Sequence, residues 1–184
     1  MAWNIFFKRQ KQIFSTPALS DFDNLPLKFT YLYYKSIKKG NALPKFSDFD
    51  FSKLGTFERY CGIILHKPPQ YFQYVELKER LISLYGKDLT GQTFETAYSG
   101  KNYEYVMDIY QKVCENDKPL YARNSWNTLI RTIGYYSLLL PFERNADGSR
   151  YIVTCITPSD LNIKYAKDWQ DADDIKTLQE IADF

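Results

Sequence analysis

Histidine occurs once, at position 66, cysteine three times and methionine twice in 184 residues. A single imidazole excludes a zinc site built on a pair of histidines and leaves a Ser-His-Asp triad with one candidate base. Cys61, Cys114 and Cys155 are odd in number, widely spaced and set in apolar segments. That pattern predicts reduced, buried thiols and neither a disulfide frame nor a metal site. The eight glycines never form GxGxxG, and GxxxxGK[ST] is absent, so the sequence carries neither dinucleotide fingerprint nor phosphate loop. Neither sign of charge dominates: 24 Lys and Arg stand against 22 Asp and Glu, a net charge of +2. This is not the electrostatic footprint of a nucleic-acid binder or of a membrane-surface protein. No apolar run reaches the roughly 18 to 20 residues of a bilayer span. At the start, Lys8 and Arg9 follow a very short apolar stretch, the reverse of a secretory signal. The expectation is a cytoplasmic chain without cofactor or metal.

What the chain has in abundance is aromatic: 13 Phe, 16 Tyr and 3 Trp, or 17%. Hydrophobic residues at 45% and charged residues at 25% are an ordinary globular balance, and the length suits one domain. A core built from large, half-polar rings favours strands and a pocket over a plain helical bundle.

Along the chain, residues 1–26 read as an N-terminal extension. Over 27–39, Leu27, Tyr31, Tyr34 and Ile37 recur every three or four residues before Gly40, which predicts an amphipathic helix. A short helix is expected near 51–57. The apolar run from Cys61 to Leu65, closed by Pro68-Pro69, and the aromatic run 71–77 predict an antiparallel strand pair. A short helix over 79–85 follows, then a loop with Gly86 and Gly91. The strongest helix spans 102–116, with Tyr103, Val106, Met107, Tyr110, Val113 and Cys114 on one face. Strands are predicted over 120–127, 133–142 and 151–157, the last two joined through Asp147-Gly148. Residues 162–184 read as an acidic helical tail. The order of elements defines an α+β class: a five-stranded antiparallel sheet with helices over one face, and helical extensions at both ends.

Three segments taken together, 84–91 (Leu-Tyr-Gly-Lys-Asp-Leu-Thr-Gly), 118–123 (Lys-Pro-Leu-Tyr-Ala-Arg) and 136–142 (Tyr-Ser-Leu-Leu-Leu-Pro-Phe), resemble a family of small bacterial PAS-like domains. The resemblance spans about 29–161, and the domain is drawn at 27–161. It implies a five-stranded PAS sheet with the helical segment inserted between the second and third strands, in agreement with the order read from the residues. It also implies a sensory or regulatory role through a small ligand, a protein partner or both. The chain departs from the family at Lys78, where members often carry glycine.

Seven residues are singled out as candidate ligand contacts because polar groups sit among rings: Tyr74, Tyr103, Met107, Tyr110, Arg123, Trp126 and Tyr136. A buried hydroxyl or guanidinium needs a partner, which a ligand's polar end can supply. The bland alternative is an aromatic core that satisfies itself. His66 reads as a rim histidine, Cys114 as a packed thiol, and Asp48, Asp50, Asp147, Asp171, Asp173 and Asp174 as solvated carboxylates without a convergent nucleophile.

The functional expectation is a non-enzymatic sensory module that acts through a signalling protein partner and takes a small apolar or aromatic ligand. No nucleic acid and no membrane contact is expected. Trp3, Phe6, Phe7 and Phe14 interleaved with Lys8, Arg9 and Lys11 offer a docking segment, and the 27–39 helix an apolar stripe for a homodimer. Two alternatives stay open: an enzyme using Tyr and Asp in the same cavity, and a scaffold without ligand.

Overall fold

The computed structural model describes residues 10–15, 17–22, 24–40, 42–127 and 132–159. Its elements are β1 (Gln10–Ser15), α1 (Leu25–Ser36), β2 (Cys61–Lys67), β3 (Tyr71–Leu77), α2 (Glu79–Tyr85), α3 (Phe94–Ala97), α4 (Gly100–Asn116), β4 (Leu120–Asn127), β5 (Thr132–Pro141) and β6 (Arg150–Pro158). Short 3-10 helices occupy Leu19–Asp21, Phe46–Asp48 and Phe51–Tyr60. One sheet in the order β1-β4-β5-β6-β2-β3 takes in every strand among the described residues, and each neighbouring pair is antiparallel. Strands β2 to β6, with α2, α3 and α4 inserted between β3 and β4, make the five-stranded PAS-like α+β layer expected from the sequence.

Two features add to that layer. Part of the N-terminal extension, expected to be helical, is the sixth strand: Gln10 to Ser15 pair with Ser125 to Leu120 along the outer edge of β4. A free strand edge offers a row of unpaired N–H and C=O groups, and a segment with weak helical periodicity gains more by filling it than by coiling. The head 1–9 and the tail 162–184 lie outside the described residues, so the helical reading of the tail has no counterpart here.

The second feature is that helices cover both faces. Strand side chains alternate between faces, and in β6 both sets are apolar and buried: Ile152 and Ile156 point to one side, Val153 and Cys155 to the other. The first set packs under α2, α3 and α4 with Leu81, Phe94, Met107, Ile109, Tyr110 and Val113. The second packs under α1 and the 46–60 segment, against Leu27, Phe29, Tyr34, Phe49 and Phe57. The apolar stripe of α1, expected to serve a second copy, is packed instead on the chain's own sheet.

Local chemistry fixes this cover. Asn24 caps α1, accepting from Leu27 N at 3.2 Å, and donates from Nδ2 to Thr157 Oγ1 at 2.8 Å, which ties the helix start to β6. The Tyr34 hydroxyl donates to the Pro141 carbonyl at 2.6 Å. On the other face α2 stops at Gly86, whose φ of 72° is the left-handed conformation that closes a helix. Helix α4 stops at Asp117 with φ 52°, the same device on a non-glycine residue.

Candidate functional site

The space between the sheet and α2–α4 is filled by rings. Phe94, the first residue of the single-turn α3, is fully buried. Its ring stacks on Phe72 of β3 at 5.2 Å between centroids and 14° between planes. It meets Tyr110 of α4 edge-on at 4.9 Å, Tyr74 of β3 at 5.2 Å and Tyr98 at 5.9 Å. Met107 and Val113 of α4 close the layer from above.

Polar tips run through this apolar mass. The Tyr74 and Tyr98 hydroxyls are hydrogen-bonded to each other, with Tyr85 from the end of α2 beside both. Farther along α4, the Tyr105 hydroxyl donates to Asn124 Oδ1 of β4, and Asn124 Nδ2 donates to Ser137 Oγ of β5 at 3.3 Å. Burial raises the pKa of Tyr74, Tyr85 and Tyr110 well above 10 and pushes Tyr98 up to about 12, since a phenolate loses its hydration there. These groups stay protonated at neutral pH: they give and take hydrogen bonds but do not act as bases.

The carboxylates lie elsewhere. Asp50, Asp88 and Asp147 sit exposed in turns, each held below the usual carboxylate range by hydrogen bonds from Ser52, Thr90 and Ser149. This is the solvated role expected of Asp50 and Asp147; Asp171, Asp173 and Asp174 lie outside the described residues. Among the described residues no group of three or more His, Cys, Asp or Glu is placed to hold a metal ion. Burial pushes the Cys114 thiol up to about 11. Cys61 and Cys155 are buried side by side as register partners of β2 and β6.

Of the seven sequence candidates, Tyr74, Met107 and Tyr110 come together in the layer. Tyr103 sits on the same helix near its exposed start, its hydroxyl 3.5 Å from Glu95. Arg123 and Tyr136 do not join them. They belong to the opposite face of β4 and β5, where Arg123 donates to the Asp21 carbonyl at 2.8 Å and Tyr136 packs near Tyr121. The cause is the strand period of two: Ala122 and Tyr135 take the inner face, so Arg123 and Tyr136 must take the outer one. Trp126 is on β4 opposite Ile133, with its side chain outside the described residues. His66, read as a rim residue, is 4% exposed, because β2 is flanked by β3 and β6 and its ring lies 4.7 Å from that of Phe72.

The sequence reading missed Phe94, Tyr98, Tyr85, Tyr105 and Asn124. Four residues of α3 are too few for a period to show. The one usable signal was the pair of rings, Phe94 and Tyr98, set four residues apart between Gly91 and Gly100.

Fold and site together define an α+β domain of PAS-like fold with a tyrosine-lined layer under its inserted helices. No protein-family model matches the chain, and no curated protein matches it significantly. Among solved structures it is similar to a fungal LOV-domain photoreceptor, described within a pathway integrating blue light and oxidative stress, at 12% identity over 73% of this chain and 92% of that one, with a TM-score of 0.40. It is also similar to an RNA-binding light-oxygen-voltage receptor at 13% identity over 98% of this chain, with a TM-score of 0.40. The chain spans 44% of that receptor's length. No helix among the described residues is long and apolar enough to cross a membrane.

Proposed function

We propose that this chain is a non-enzymatic, PAS-like sensory or regulatory module whose responsive part is the tyrosine layer and the α3–α4 cover above it. The observation that carries this reading is the pair of joined hydroxyls of Tyr74 and Tyr98, enclosed among Phe72, Phe94, Tyr85 and Tyr110. A small ligand offering an aromatic ring and one polar tip competes for the contacts that Phe94 and Tyr98 make. Because α3 and the start of α4 carry or adjoin those two side chains, occupancy favours one arrangement of the helices over another, and a protein partner reads the difference. Catalysis has less support, since the tyrosines of the layer are phenols held protonated and the carboxylates of the described turns face solvent.

Native mass spectrometry of the purified protein, compared with the denatured mass, tests this. A retained small molecule that is lost from Tyr98→Phe supports the reading. A ligand-free wild-type protein whose α3–α4 amide exchange is also unmoved by a panel of phenols and indoles overturns it.

A further inference from the structure

Arg150 opens β6 and is 1% exposed, the bulkiest fully buried side chain among the described residues. Its Nη2 lies 2.5 Å from Asp117 Oδ1. Its Nε and Nη1, three of the five N–H donors of a guanidinium, are buried and have no partner. Unpaired buried donors are costly, and more so on a charged group.

Among the described residues the carboxylate paired with Arg150 is Asp117, with Glu115 farther off beside Cys114. The same Asp117 oxygen is 3.5 Å from Arg144 Nη2, which also donates to the Cys114 carbonyl at 2.9 Å. One carboxylate therefore serves two guanidinium groups. His66, opposite Arg150 in the β2–β6 register, adds a buried ring whose Nδ1 is also unpartnered. The flanking groups are Cys114, a protonated thiol, and the Tyr34 hydroxyl, committed to the Pro141 carbonyl. Asp117 itself is half exposed at the left-handed end of α4, so its side chain has room to leave for solvent once another anion takes its place on Arg150.

We propose that Arg150 and Arg144 form a binding site for an oxyanion, a carboxylate or phosphate group of a small ligand, and that the Asp117 side chain occupies this seat in its absence. An incoming oxyanion has more acceptor oxygens to offer the two arginines than the single Asp117 oxygen they share, and planar guanidinium groups suit bidentate pairing with both chemistries. Displacing Asp117 also frees the end of α4. The site uses neither Tyr74 nor Tyr98 and does not depend on the function proposed for the tyrosine layer.

The test is isothermal titration calorimetry of the full chain with inorganic phosphate and, separately, malonate, at constant ionic strength with chloride as counter-ion. Saturable binding of one or both is expected, phosphate alone marking a phosphoryl ligand and malonate alone a carboxylate. Asp117→Asn, which removes the internal competitor's charge, should tighten the constant about tenfold, and Arg144→Gln, at an exposed loop position, should weaken it about tenfold. Amide shifts should move at 113–117 and 144–150. The absence of saturable heat with either anion in both the wild type and Asp117→Asn overturns the proposal, as does unchanged binding in folded Arg144→Gln.

Discussion

Truncating Phe94 to alanine tests the layer where its packing is tightest. The side chain is fully buried and has four aromatic neighbours with centroids 4.9 to 5.9 Å away. Removing a buried phenylalanine ring costs about 3–5 kcal/mol, through lost transfer energy and the void left behind. At about 2–4 °C per kcal/mol for a chain of this size, the melting temperature should fall by about 6–20 °C. Urea unfolding followed by far-UV circular dichroism reads the loss directly. Val75→Ala, at a site 40% exposed, is the control and should stay within about 0.5 kcal/mol of wild type. The void has the shape of a ring, so phenol at ten times its dissociation constant for the variant should stabilise Phe94→Ala by about 1.4 kcal/mol, more than the same concentration stabilises wild type. A loss below about 1 kcal/mol, or no difference in phenol response, would refute the claim that α3 plugs the space between sheet and α4.

Three further outcomes follow from individual contacts. A methyl added at Gly62 would lie 2.7 Å from Leu77 Cδ2 and 3.0 Å from Leu81 Cδ1, so Gly62→Ala should lose about 1–3 kcal/mol in chemical denaturation as both leucines shift; a neutral result would contradict the packing of α2 on β2. Asn24→Ala removes the α1 cap and the bond to Thr157 and should cost about 2 kcal/mol in urea unfolding, and a loss below about 0.5 kcal/mol would contradict both contacts. Burial lowers the pKa of His66, with the charges of Arg150 and Arg144 adding to the effect against the opposing Pro69 carbonyl. Below about pH 6.5 the unfolded chain then binds a proton that the folded chain resists, so stability should fall as pH drops from about 6.5 toward the lowered folded value. His66→Gln should flatten that slope in melting experiments between pH 7 and 5, and an unchanged slope would assign it to other groups.

Much of the architecture was legible because its signals are local. The β3, α2 and β4 boundaries follow from aromatic alternation, from the glycine after Tyr85 and from Pro119, and the long helix shows its face in Met107, Tyr110, Val113 and Cys114. Each of these needs only the strand period of two, the helical period of 3.6 or a residue that stops an element. The insertion of helices between the second and third strands of the PAS-like layer then fixed which pieces had to pair.

Tertiary structure alone decided what depends on partners far away in the chain. That Gln10–Ser15 becomes a strand depends on the free edge of β4, more than a hundred residues later. Whether α1 offers its stripe to a second copy or to its own sheet depends on the outward side chains Leu138, Leu140, Val153 and Cys155 being apolar too. Arg123 and Tyr110 look alike as polar groups among rings, and only register places one outside and the other inside. His66 and Arg150 are 84 residues apart and become neighbours only because β2 lies beside β6. Periodicity tells a residue which way to face along its own element; which element covers that face is set by the pairing of the whole chain.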